Sequence, residues 1–141
     1  MSIAMKIEVL DHPEQALIDL LDLKIAEFNW ANWEVKERLP IAVQIKDDNG
    51  EVIAGSAGRT FGNWLQINTL WVSETLRGQD IGSKILQAIE LAAKQRGCVN
   101  CLLDTLNFQA MPFYKKHGYH VQWVQENYPK TGCKYFMVKR L

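Results

Sequence analysis

The chain has 141 residues, enough for one domain around a single core, and its 48% hydrophobic and 23% charged residues exclude disordered and fibrous classes. Sixteen basic residues offset sixteen acidic ones with no polybasic tract, which argues against nucleic acid or an anionic membrane as partner. Apolar runs are short and broken by charge, and MSIAMKIEVLDHPE lacks the h-region and cleavage site of a signal peptide, so a cytoplasmic protein is expected.

Residues 6–10 (KIEVL) alternate in polarity as a short strand does. The DHPE that follows reads as a helix start, with Asp11 as cap, Pro13 in the first turn and Glu14 closing a capping box. Leu17, Leu20, Leu21, Ile25 and Phe28 then recur at helical spacing and predict an amphipathic helix. The aromatic NWANWEVKERLP after it fits a short second helix or a loop, closed by Pro40. From Ile41 the period becomes two. IAVQI, EVIAGSAGRT and WLQINTLWV predict three antiparallel strands in a meander, because Asn49-Gly50 and Gly62-Asn63 accept positive φ at the reversals.

Ile81, Ile85, Ile89 and Ala92, with Leu86 and Ala93 beside them, form the apolar stripe of a further helix. Its Lys84, Gln87, Glu90 and Lys94 are expected to face solvent, and Gly97 to cap its C-terminus. A buried strand at 101–103, a short helix at 109–117 with Pro112 in its first turn, and two strands, HVQWVQE and KYFMVKRL, complete a mixed α/β order. No repeat or linker interrupts it, so a single domain over residues 1–141 is expected.

Three cysteines, an odd number, argue against a disulfide framework. Cys98 and Cys101 form a C-x-x-C, but a zinc site needs two further ligands, and only Cys133 and three scattered histidines remain to supply them. The pair falls at the start of a strand rather than of a helix, so it is read as buried structural thiols, with no metal expected.

The stretch LRGQDIGSK at 76–84 leads from a strand into a helix with an arginine and two glycines. Gly78 and Gly82 stand one residue too close for a P-loop, and no G-x-G-x-x-G is present. Taken alone, the loop is either an anion site built from free helix N–H groups or an ordinary tight turn.

The rest of the chain adds context. LWVSETLRGQDIGSKIL at 70–86 and NFQAMPFYKKHGY at 107–119 resemble the two motifs of the GNAT superfamily of N-acetyltransferases: R/Q-x-x-G-x-G/A between a strand and a helix, and later F-Y-x-x-x-G-[FY]. The resemblance covers the chain from about residue 41 to its end. It implies a mixed, mostly antiparallel sheet of about six to seven strands with about four flanking helices, and it allows a homodimer through the last strands. It also implies acetyl-CoA as co-substrate. Leu70, Trp71 and Val72 would offer strand backbone to the pantetheine amides. Arg77, Gly78, Gln79, Asp80, Ile81, Gly82 and Ser83 would surround the pyrophosphate, and Asn107 would bond the cofactor's arm. Asp80 departs from the family pattern, standing where the motif has its first glycine.

Transfer of acetyl to an amine needs a neutral nucleophile, since an amine of pKa near 10.4 is less than about one part in a thousand neutral at pH 7. It also needs an oxyanion donor and a proton for the leaving thiolate. A backbone N–H near Val72 fits the second need. Tyr114 matches the family's general acid, although its helix face, shared with Ala110, Phe113 and His117, would suit a core aromatic equally. Glu74 and Asp104 are candidate bases, against a solvated carboxylate and a structural hydrogen bond respectively, and His120 reads as simply exposed.

Trp30, Trp33 and Tyr128 could clasp an amine, or pack, or meet a subunit. Nothing in the sequence selects between a small-molecule amine and a protein amine. A non-catalytic acyl-CoA-binding sensor or interaction domain is the alternative, supported by Asp80 and the missing obvious base. A flavodoxin-like nucleotide binder conflicts with the meander.

Overall fold

The computed structural model describes residues 5–141, which fall into two compact units that divide between Lys36 and Glu37. In the first unit, residues 6–10 form no strand, because no other strand pairs with them and an alternating pattern without a ladder has nothing to hold it extended. The helix also starts later than the sequence suggests. Pro13 disfavours helical backbone at His12, and Glu14, extended at φ −69 and ψ 145, caps α1 (Gln15–Asn32) without a side-chain bond, so no capping box forms at Asp11. The helix runs through NWAN and stops where the Trp33 N–H bonds to the Asn29 carbonyl at 2.8 Å. No second helix forms over residues 33–40. Lys36 places its ammonium 5.2 Å over the Trp30 ring and donates to the Trp30 carbonyl.

The second unit is a six-stranded sheet in the order β1-β2-β3-β4-β6-β5. Its strands are β1 (Arg38–Lys46), β2 (Val52–Phe61), β3 (Trp64–Val72), β4 (Asn100–Leu106), β5 (His120–Glu126) and β6 (Cys133–Arg140). Helix α2 (Ile81–Gln95) makes the crossover between β3 and β4, the one parallel pair, and α3 (Met111–Lys116) links β4 to β5. With α1 this makes three α-helices among the described residues, against the four or so that the resemblance implies. Pro40 does not end a loop but sits inside β1, an edge strand, where a missing N–H is tolerated. The first hairpin closes as its residues predict: Asp47 Oδ1 accepts the N–H groups of Asn49 and Glu51, and Gly50 takes φ +82. No helix of the described residues is long and apolar enough to cross a membrane.

The core lies between α2 and the sheet, where Leu86, Ile89 and Ala93 meet Leu65, Cys101, Leu103 and Met137. The helix ends in a Schellman motif, with Gly97 N–H on the Lys94 carbonyl and Cys98 N–H on that of Ala93. Glu90 corrects one expectation. It is 7% exposed rather than solvated, because Tyr119 Oη donates to it at 2.6 Å and Lys139 Nζ bonds both its oxygens at 2.9 and 3.1 Å. Its place one turn after Leu86 carries it to the edge of the apolar stripe. Cys98 and Cys101 are free and buried, and burial above all pushes the Cys101 thiol up to about 12.

Candidate active site

The site begins with a bulge. β3 and β4 pair only from Trp64↔Asn100 to Ile67↔Leu103, and at that point the β2–β3 register jumps, Gly58 facing Ile67 while Ala57 faces Thr69. Asn68 is therefore the extra residue, and a bulge bends and twists its strand. Gly58 makes the bulge possible, since a Cβ there would stand 1.9 Å from the Gln66 carbonyl oxygen. Beyond it, β3 stays with β2 and leaves β4, so backbone groups that a continuous sheet would pair are left open to a cleft.

This cleft, of about 700 Å³, lies between the parted strands and is lined by Leu70, Trp71, Asp104, Tyr114, Tyr128 and Lys134 among others. A second space of about 480 Å³ is lined by Val72, Gly78, Asp80, Gly82, Phe113 and His117. The two share Leu70, Trp71, Arg77 and Ala110, which makes them one groove.

The loop that lines the smaller space turns on two left-handed residues, Gly78 at φ +83 and Asp80 at φ 63 and ψ 20. Glycine adopts that region freely, and aspartate is one of the few other residues to visit it. The departure at Asp80 thus preserves the turn. Lys84 N–H is the first to close on the loop, reaching the Asp80 carbonyl at 3.3 Å, so the N–H groups of Ile81, Gly82 and Ser83 have no acceptor inside the helix. Together with the helix dipole they form an anion-favouring end. Ser83 Oγ lies 2.8 Å from His117 Nε2, which ties this first turn to the end of α3. A Cβ on Gly82 would come within 3.4 Å of the Phe113 ring, so the helix and α3 sit close there.

Of the residues singled out in the sequence, Leu70, Trp71, Val72, Arg77, Gly78, Asp80, Ile81, Gly82, Ser83, Asp104, Tyr114 and Tyr128 all line the groove. Three do not. Gln79 turns its amide toward the Thr75 carbonyl at 3.5 Å. Glu74 is exposed in the 3-10 turn Glu74–Leu76, with its carboxylate 3.9 Å from the Arg77 guanidinium. Asn107 lines a separate surface pocket with Glu126, Thr131 and Gly132, and its Oδ1 accepts the Cys133 N–H at 3.1 Å. Trp30 and Trp33 belong to the first unit.

Tyr114 sits at the junction of core and cleft. It is only 7% exposed, its ring meets Tyr119 edge-on at 5.7 Å, and its hydroxyl makes no hydrogen bond within the described residues. Burial first, then the nearby Cys101 and Asp104, pushes its phenol up to about 12. Sequence reasoning missed two groups. In the sequence His117 is only part of the helix face shared with Tyr114, and its bond to Ser83 follows only from how α2 and α3 approach. Lys134 lines the cleft with its ammonium 4.4 Å over the Tyr128 ring. Only the β4–β6 register, Leu106 opposite Lys134, brings it there, and no local pattern carries that pairing.

Comparison with known proteins matches residues 4–119 to the model of the Acetyltransferase (GNAT) family. The chain is 32% identical over 95 residues to acetyltransferase Atu2258 of Agrobacterium fabrum, covering 67% of this chain and 69% of that protein. It is also 32% identical over 95 residues to the blasticidin-S acetyltransferase of Streptomyces morookaense, covering 67% and 70%. Among solved structures it is similar to an acetyltransferase from Bacillus cereus ATCC 14579, with a TM-score of 0.85, 31% identity and coverage of 95% of this chain and 98% of that one.

Proposed function

The chain belongs to the GNAT family of acetyltransferases, whose co-substrate is acetyl-CoA, and from that premise we propose that it moves acetyl to a primary amine by direct attack in a ternary complex. The observation that carries the reading is one continuous groove that joins the open edge of β3, the free amides of α2 and the pair Asp104 and Tyr114. The backbone of Leu70, Trp71 and Val72 binds the pantetheine arm. Arg77 and the first-turn amides of α2 hold the pyrophosphate, which suits a helix N-terminus.

Asp104, exposed on the cleft wall, takes the proton that makes the amine neutral. The nitrogen lone pair then adds to the thioester carbonyl carbon, and an open N–H of β3 steadies the oxyanion. As the C–S bond breaks, sulfur receives a proton from Tyr114, which regains one from the acylated nitrogen. A phenol near 12 giving its proton outright to a thiolate of pKa about 8.5 would be uphill, so donation and recovery belong to one concerted relay. The acceptor is an amine, in keeping with a relative that acetylates an antibiotic, blasticidin S.

Calorimetry with acetyl-CoA and a free-thiol assay over an amine panel test the reading; absence of acetyl-CoA binding, or binding with no thiol release from any amine, overturns it. The loop supplies a sharper check. Asp80→Gly removes a carboxylate from the anion end and leaves the left-handed turn unstrained, so acetyl-CoA should bind about 2- to 5-fold tighter, the equivalent of 0.3–1 kcal/mol. Unchanged or weaker binding by calorimetry would mean that the phosphates do not use this loop.

A further inference from the structure

We propose that the acceptor is an amine bearing a carboxylate one or two carbons from its nitrogen, a free amino acid in chemical class, and that Lys134 selects it. The inference rests on the reading of the groove as the acetyl-transfer site.

Three charged side chains line the wide cleft: Arg77, Asp104 and Lys134. Arg77 is partnered, with Glu74 3.9 Å away. Lys134 and Asp104 form no ion pair with each other or with any other described residue. The lysine's ammonium lies 4.4 Å over the face of Tyr128. A half-buried ammonium held over a ring, with no counter-charge, is a cation already placed for an anionic ligand group.

The sheet fixes the spacing of the two residues along the cleft wall. Asp104 opposes Phe136 and Leu106 opposes Lys134, so Asp104 and Lys134 are diagonal neighbours on one face of adjacent antiparallel strands, roughly 7–8 Å apart at Cα. A molecule with ammonium and carboxylate on neighbouring carbons bridges them: its nitrogen meets Asp104, which must take its proton, and its carboxylate meets Lys134 in a charge-assisted bond. The exposed rings of Trp71 and Phe108 on the same cleft give its side chain an apolar shelf. A polyamine or a protein lysine would instead bring a second cation, or no anion, to Lys134. The transfer step is unchanged: nitrogen gains the acetyl, the C–S bond breaks, and the thiolate takes the proton that nitrogen loses.

The test compares kcat/KM for the common amino acids with that for their carboxamides, using thiol release at pH 8. An amide's α-amine has a pKa near 8 and is the less basic of the pair, so a preference for the acid cannot arise from a larger neutral fraction. At least one amino acid should exceed its amide by tenfold or more, Lys134→Met should bring that ratio near one, and Lys134→Arg should retain most of it. Amides preferred over acids in the wild type, or a ratio that survives Lys134→Met, overturns the inference while leaving acetyl transfer intact. No release from any acid, amide or simple amine overturns both.

Discussion

Tyr114→Phe should lower kcat for acetyl transfer by about 100- to 10,000-fold, the range of a lost general acid, while acetyl-CoA binding and the folded state stay close to wild type. The substitution keeps the ring that packs edge-on against Tyr119 and Phe113, and it strands no partner, since the hydroxyl bonds to no other described group. A phenol pushed to about 12 by burial remains protonated from neutral pH to well above 10. Its folded pKa lies above the unfolded value of about 10, so any stability it lends is complete below pH 10 and lost between 10 and 12. The pH–rate profile should therefore rise as the amine deprotonates and show no falling limb from Tyr114 below pH 10. Full turnover in the phenylalanine variant, measured with the best acceptor, would return Tyr114 to a packing role.

Lys139→Met should cost about 3 kcal/mol, because it leaves Glu90 buried without its cation and supported by Tyr119 alone. For a chain of this length the melting temperature should fall by roughly 10 °C. The methionine stem keeps the packing, so the loss reports the charge. Replacing Glu90 and Lys139 together with Met should recover part of it, since neither charge is then left unpaired and only the Tyr119 hydroxyl loses its acceptor. If the single variant melts like the wild type, the pair is solvated in solution.

Much of the architecture was legible locally. The meander was written in the period-two runs from Ile41 and in the Asn49-Gly50 and Gly62-Asn63 reversals, and β3 runs from Trp64 to Val72 as its alternation predicts. The main helix was written in its stripe and its Gly97 cap. The errors lie where a partner decides. Residues 6–10 have a strand's alternation and no ladder, and Glu90 has a surface residue's charge yet is buried with Tyr119 and Lys139 as donors.

The sequence by itself determined the elements, the loop between strand and helix, and the order of the two motifs, because periodicity, glycine placement and capping are short-range and each leaves a mark within a few residues. Only the tertiary structure decided that β3 leaves β4 after Ile67, that Tyr114 and Asp104 share the resulting cleft, and that Lys134 arrives from β6 to face them. Those facts depend on strand register and on a bulge that Gly58 permits. Register is set by pairing between segments far apart in the chain, which no single stretch of residues encodes.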